Sequence, residues 1–226
     1  MRGTKIFALT AALFMIPLSS CSSAERDKKS IDSNVNWSLF EDKKRDDFFN
    51  YSQKTGFKII YTQNGEDAEY YGAIKGKVIW RHIKSNIDSA YFLDENDQKT
   101  YAYQLSNEQI IGDNKATYEA DVFEKGAFDS AFSVLFKAKE ISKYEGFIFV
   151  QKSTYLDRSV DIYKYVQEVE TVVITSTFYV EEEFGLTLWY EKKQLKADGS
   201  TETISETKVK TIMLGDEVVP PSRPNF

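Results

Sequence analysis

The spacing of apolar and polar residues changes period several times along the chain, and each change predicts an element. Ile6 to Leu18 is almost wholly apolar, broken by Thr10 and Pro17, and it follows Arg2 and Lys5. No acidic residue precedes Glu25. A basic start, an apolar run of about 13 residues and small residues behind it have the form of an export signal. A helix crossing a bilayer needs about 20. Residues 21–36 are rich in Ser, Lys, Asp and Glu, bury little, and predict a flexible tether. A helix is then predicted from a capping Ser38 to about Gln53, with Leu39, Phe40, Lys43, Asp47, Phe48 and Tyr51 near helical spacing and Gly56 ending it.

From Phe57 the period shortens toward two, the mark of strands. Phe57 to Thr62 is a short strand, Asn64-Gly65-Glu66-Asp67 a turn, and Tyr70 to Ile83 one long strand. Ala90–Leu93 and Tyr101–Leu105 flank the polar turn Asp94-Glu95-Asn96-Asp97. Lys115 to Val122 alternates most cleanly, with Ala116, Tyr118, Ala120 and Val122 opposite Lys115, Thr117, Glu119 and Asp121, as in a half-buried antiparallel strand. Phe128, Ala131, Phe132, Leu135 and Ala138 restore the helical period and predict a second helix over roughly 127–141. Strands return at 147–155, 160–166, 171–180, 186–192 and 203–214, with Asp198-Gly199 a hairpin signal between the last two. Pro220-Pro221 and Pro224 make 215–226 an extended tail. The sum is one α+β domain over 37–214. It is a large curled antiparallel sheet, an unclosed β-barrel of about nine or ten strands, with two helices packed on its concave face.

Composition narrows the function. Removing residues 1–20 takes away two basic and no acidic residues, so the formal charge moves from −6 to −8. A net acidic body lacks the basic footprint that nucleic acid requires. Packing falls to the aromatics, 16 Phe, 14 Tyr and 3 Trp. Leu18-Ser19-Ser20-Cys21 resembles the lipobox of bacterial lipoproteins. The resemblance implies a diacylglyceryl group on the Cys21 thiol and cleavage between Ser20 and Cys21. Two acyl chains hold a protein stably on a membrane where one does not. Cys21 is the single cysteine, so a lipidated chain has no disulfide and no cysteine metal site. The location implied is the cell envelope outside the cytoplasm. Ser22, in place of the Asp retention signal of enteric lipoproteins, points to the outer membrane where there is one, and otherwise to the outer face of the plasma membrane.

The order helix, meandering strands, middle helix, meandering strands, behind a lipobox, resembles the LolA/LolB-like lipoprotein-carrier superfamily, which includes the mycobacterial LppX-type lipoproteins. The resemblance in order covers roughly 38–214. Its most local part is Phe178-Tyr179-Val180-Glu181-Glu182-Glu183-Phe184-Gly185-Leu186-Thr187-Leu188-Trp189-Tyr190-Glu191. This stretch is similar to the strand, acidic turn, Gly-Leu-Pro and returning strand found late in that superfamily, with Thr187 where Pro is usual. The resemblance implies an unclosed barrel with helices as a lid and lipid chains held in the hollow. The cavity arginine of the soluble carrier and the exposed apolar loop of the membrane-bound acceptor have no identifiable counterpart.

Candidate chemistry is sparse. Trp80, Tyr101, Tyr103, Tyr118 and Phe132 are either core or the lining of a cleft for an acyl chain or other apolar ligand. A tyrosine wall, with its polar tips, suits an amphipathic ligand better than bare alkane. His82, the single histidine, has no nucleophile-elbow motif to serve. Asp94-Glu95-Asn96-Asp97 lacks the spacing of a calcium loop, and Glu181-Glu182-Glu183 reads as a charged turn. Phosphate-cradling glycine loops and paired-His zinc motifs are missing. The sequence therefore predicts a binding protein without cofactor or metal rather than an enzyme. Its partners are a membrane through Cys21 and a lipid or other hydrophobic ligand. The alternative is an envelope interaction module with a solid core that binds a protein.

Overall fold

The computed structural model describes residues 32–52, 55–73, 78–84, 87–94, 99–106, 109–110, 116–119, 132–215 and 218. The predicted signal, Cys21 and the tether up to residue 31 lie outside these residues, as does most of the tail. Within them runs one antiparallel sheet of twelve strands: β1 (Phe57–Gln63), β2 (Glu66–Ala73), β3 (Val78–Lys84), β4 (Ile87–Asp94), β5 (Lys99–Ser106), β6 (Gln109–Ile110), β7 (Ala116–Glu119), β8 (Phe147–Tyr155), β9 (Arg158–Val169), β10 (Val172–Glu181), β11 (Thr187–Leu195) and β12 (Thr201–Leu214). The order is β6-β5-β4-β3-β2-β1-β12-β11-β10-β9-β8, with β7 paired to β5 beside β6. Two meanders are thus joined through the first and last strands, β1 and β12, and the sheet is unclosed among the described residues.

The α+β class holds, but twelve strands replace the nine or ten expected. The run read as one strand from Tyr70 to Ile83 is a hairpin, β2 and β3, with Ala73 opposite Val78 and Ala68 opposite Lys84. Each strand of the hairpin alternates with period two as one long strand would, and the register shift between Tyr71 and Ala73 falls beside the turn. The two-residue β6 is too short to leave a period.

The first predicted helix is also divided. A 3-10 turn, η1 (Trp37–Phe40), precedes α1 (Asp42–Ser52), and Glu41 between them is extended (φ −70°, ψ 153°). Ser38 does not cap α1; it lies inside η1 and its hydroxyl donates to Asn36 Oδ1 at 2.7 Å. The break has a packing reason. Phe40 meets Phe147 and Tyr163 at 5.3 and 5.1 Å, whereas Phe48 meets Phe57 and Phe184, both at 5.4 Å. The bend at Glu41 lets each phenylalanine reach its own cluster. In the second helical region, η2 (Ser133–Phe136) leads into α2 (Lys137–Ile141), and Phe132, Leu135 and Ala138 are fully buried at the predicted spacing.

Both helical regions pack on one face of the sheet, the face of Phe57, Ile59, Tyr61, Phe178 and Val180. The other face carries Tyr155, Tyr179 and Trp189, with Tyr179 stacked on Trp189 at 4.7 Å and the Lys208 ammonium 4.4 Å from the indole centre. The Tyr155 hydroxyl on β8 donates to the Val209 carbonyl on β12 at 2.6 Å. Those strands are four spacings apart, about 19 Å in a flat sheet, so the sheet coils strongly. At this corner it folds over the face away from the helices, a curl that the expected half-barrel did not include.

Candidate functional site: a cleft beside the second helix

Strand register selects the residues that face the helices. Tyr163, Phe178, Tyr190 and Thr207 form one cross-strand row on β9 to β12, and Gln63 on β1 extends it. The next row on the same face is Tyr165, Ser176, Lys192 and Ser205. Beneath α1 and η2 this face is a closed core: Phe48, Phe57, Phe132, Leu135 and Phe178 have no exposed surface. Farther along the strands the core stops and a cleft of about 480 Å³ opens. The second row and Thr207, Tyr190, Gln63 and Gln167 form its floor, and Ser133, Val134, Lys137, Glu140 and Ile141 form its helical wall.

A hydrogen bond ties the wall to the sheet. The N–H of Ala138 lies in the first turn of α2, where the helix supplies no acceptor. It donates to Thr187 Oγ1 on β11 at 3.0 Å, and both residues are buried. Thr187 thereby uses the hydroxyl that a proline at this position would lack. On the wall, Lys137 Nζ is paired with Glu140 Oε2 at 2.8 Å.

The floor is different. Ser176 is 6% and Thr207 4% exposed, and neither hydroxyl has a hydrogen-bond partner among the described residues. The same holds for Ser205 and for the phenolic hydroxyls of Tyr165 and Tyr190, and the half-buried Lys192 has no ion-pair partner there. None of these atoms is among the sealed, unpartnered polar atoms of the described residues, so they open onto the cleft.

A second groove, of about 700 Å³, lies on the other side of α2 between η1 and α1, lined by Trp37, Phe40, Asp42, Arg45, Phe136 and Lys139 among others. Within it, Asp42 pairs with Lys139 across the groove and with Arg45 at 3.7 Å.

The acidic turn between β10 and β11 is not simply a solvated turn. Glu181 is 1% exposed; it accepts from the Glu183 and Phe184 N–H groups at 2.9 Å and from Arg158 at 3.2 Å. Burial pushes its carboxyl above the ordinary glutamate range, against the Phe184 N–H and Arg158, which pull the other way. Lys44 of α1 clamps the turn by donating to the carbonyls of Glu182 and Glu183 at 2.7 and 2.6 Å. Nearby, Lys152 bridges Glu182 and Asp161, contacts that raise its own pKa. Burial and the adjacent Asp161 push the Tyr163 hydroxyl far up, so it stays protonated and donates to Asp161 Oδ2 at 3.0 Å. These groups pair with one another and hold the hairpin.

Of the aromatic candidates, Phe132 has a described side chain. Phe132 packs in the closed core against Phe57 and Phe48 at 5.4 and 6.1 Å and does not line the described clefts. Continuous register places Tyr103 in line with Ala90, Arg81, Tyr71 and Lys58, and Tyr101 in the same phase on β5. Trp80 aligns with Tyr91 and Ala102, in the phase of Tyr118, which pairs with Thr100. The side chains of Trp80, Tyr101, Tyr103 and Tyr118 lie outside what the structure describes. Ser20 and Cys21 lie outside the described residues. The residues that do line the cleft left one local signal: Ser176, Lys192 and Ser205 are polar at positions in phase with the buried Phe178, Tyr190 and Thr207.

Among the described residues, no group of three His, Cys, Asp or Glu could hold a metal ion, and no helix is long and apolar enough to cross a membrane. No known family model matches the chain, and no curated protein resembles it closely enough to count as a match.

Proposed function

We propose that the chain is an exported lipoprotein, anchored by diacylglyceryl on Cys21 after cleavage behind Ser20, whose body binds an amphipathic ligand in the cleft between α2 and the sheet. The observation that carries the binding half is the cleft itself. Its volume of about 480 Å³ falls within the range of small-molecule sites, and Val134, Ile141 and two tyrosines stand beside unpaired hydroxyls and a lysine. A bare alkyl chain suits it poorly. Displacing water from an unpaired buried hydroxyl without replacing its hydrogen bond costs about 1–3 kcal/mol. The lipid-carrier reading suggested by the resemblance is therefore narrowed to a ligand with a polar part.

The anchor is tested by Cys21→Ala. Wild-type protein partitions with membranes and carries the diacylglyceryl mass on a chain beginning at Cys21; Cys21→Ala is soluble or uncleaved. Membrane retention of Cys21→Ala protein cleaved at the same bond contradicts the anchor. The cleft is tested by Ser176→Trp, which fills its floor and abolishes ligand retention while the fold, followed by circular dichroism, persists.

The second reading, a protein-interaction module, has its own observation. β8 is an end strand of the sheet, and Ile148 and Val150 on it are 44% and 39% exposed. Open strand edges are templates for another chain. Stoichiometric capture of one envelope protein that is lost on Val150→Lys, with no ligand retained in the cleft, favours this reading.

A further inference from the structure

Resting on the cleft as a binding site, we infer that its floor recognises a saccharide bearing an acidic group. The floor presents the chemistry of a sugar in complement. Ser176, Ser205 and Thr207 sit on β10 and β12, two of them more than nine-tenths buried, with hydroxyls that both donate and accept and that no described protein group satisfies. Tyr165 and Tyr190 add two phenolic hydroxyls and two ring faces. A tyrosine has an apolar body and a polar tip; a sugar ring has an apolar C–H face and a polar rim, so the two match part for part. An alkyl chain would leave the hydroxyls unpaired, and a flat aromatic ligand would leave most of them so.

The charge follows from the lysines. Lys137 is neutralised by Glu140 on the helical wall. Lys192, on the floor between Ser176 and Ser205 in the cross-strand row, has no described counter-ion. A carboxylate or other anionic substituent on the sugar supplies one. The body's net charge is −8 after processing, so a local rather than a global attraction selects an acidic ligand.

The same chemistry is offered by a free acidic oligosaccharide and by the headgroup of an acidic glycolipid. The experiment titrates full-length, lipidated protein in nanodiscs with trigalacturonate, with neutral maltotriose, and with a uronic-acid glycolipid placed in the disc. The acidic saccharide binds saturably, free or lipid-borne, and the arm that binds identifies the source. Lys192→Gln weakens it about tenfold to a hundredfold, the loss of a hydrogen bond to a charged group, and brings it level with maltotriose. Thr207→Val weakens both saccharides. Near-UV circular dichroism identical to wild type shows that the variants are folded. Acidic-saccharide binding unchanged in Lys192→Gln overturns the inference. So does binding of a lysophospholipid in the cleft with no saccharide bound, which leaves the cleft as an amphiphile site. Binding of neither class removes both the saccharide and the cleft reading.

Discussion

Two residues under the acidic turn do more than their neighbours in sequence suggest. Gly185 has φ +70°, and a Cβ there would lie 2.4 Å from the Leu39 carbonyl oxygen. Gly185→Ala therefore adds a backbone clash to the cost of about 1–3 kcal/mol for a strained conformation. Urea unfolding should show a loss of at least about 2 kcal/mol; a loss within error of zero contradicts the close approach of η1 to the hairpin. Glu181 sets a pH dependence. Its folded-state pKa is raised by burial, so the folded protein holds that proton more tightly than the unfolded chain. The cost of ionising it is absent below the ordinary value of 4.5 and fully present above the raised value, so stability falls as pH rises between them. Asp32 and Asp198 act in the opposite sense. Hydrogen bonds from backbone N–H groups and Ser200 lower their pKa values, so their contribution is present above 3.8 and is lost as pH falls through the lowered values. The two windows do not overlap. Glu181→Gln should gain stability relative to wild type as pH is raised above 4.5 toward neutrality; a flat difference in unfolding free energy against pH contradicts the assignment.

The elements explain what the sequence could and could not reveal. Phe147–Tyr155 is a strand with the predicted bounds, and the Asp198-Gly199 hairpin forms, with Gly199 at φ +81° and Lys196 N–H bonded to the Ser200 carbonyl at 2.8 Å. Both are written locally, in alternation and turn chemistry. The stripe of Phe132, Leu135 and Ala138 was equally legible because helical burial repeats within a few residues. The bend at Glu41 was not, since it depends on Phe40 reaching Phe147 and Tyr163, more than 100 positions away. The same is true of Thr187, which departs from the expected proline and caps α2 across the sheet. Thr187→Val keeps the shape and removes the acceptor, leaving the Ala138 N–H buried and unpaired. The expected loss is about 1–3 kcal/mol, read as a lowered midpoint in urea together with faster hydrogen exchange at Ala138. Unchanged exchange there contradicts the cap.

At the scale of the whole molecule, the cleft depends on closure of the chain upon itself. Its floor takes Gln63 from β1, Tyr165 from β9, Ser176 from β10, Lys192 from β11 and Ser205 and Thr207 from β12. Gln63 meets Thr207 because the first and last strands pair. No local pattern announces that pairing, and Phe132, singled out from sequence as possible cleft lining, enters the closed core. Polar residues in phase with buried ones, Ser176 with Phe178 and Ser205 with Thr207, were the only local trace. The proposed export signal and lipobox rest, by contrast, on local pattern alone, within residues 1–21. With them, the proposal is of a body held near lipid with a polar-floored cleft open beside its second helix. The most direct test is native mass spectrometry of the protein extracted in mild detergent from the bacterial membranes that carry it. The account predicts a chain beginning at lipidated Cys21 with one stoichiometric small amphipathic adduct, and loss of that adduct in Ser176→Trp protein of unchanged fold. A wild-type chain without any adduct, or an adduct retained by Ser176→Trp, would contradict it.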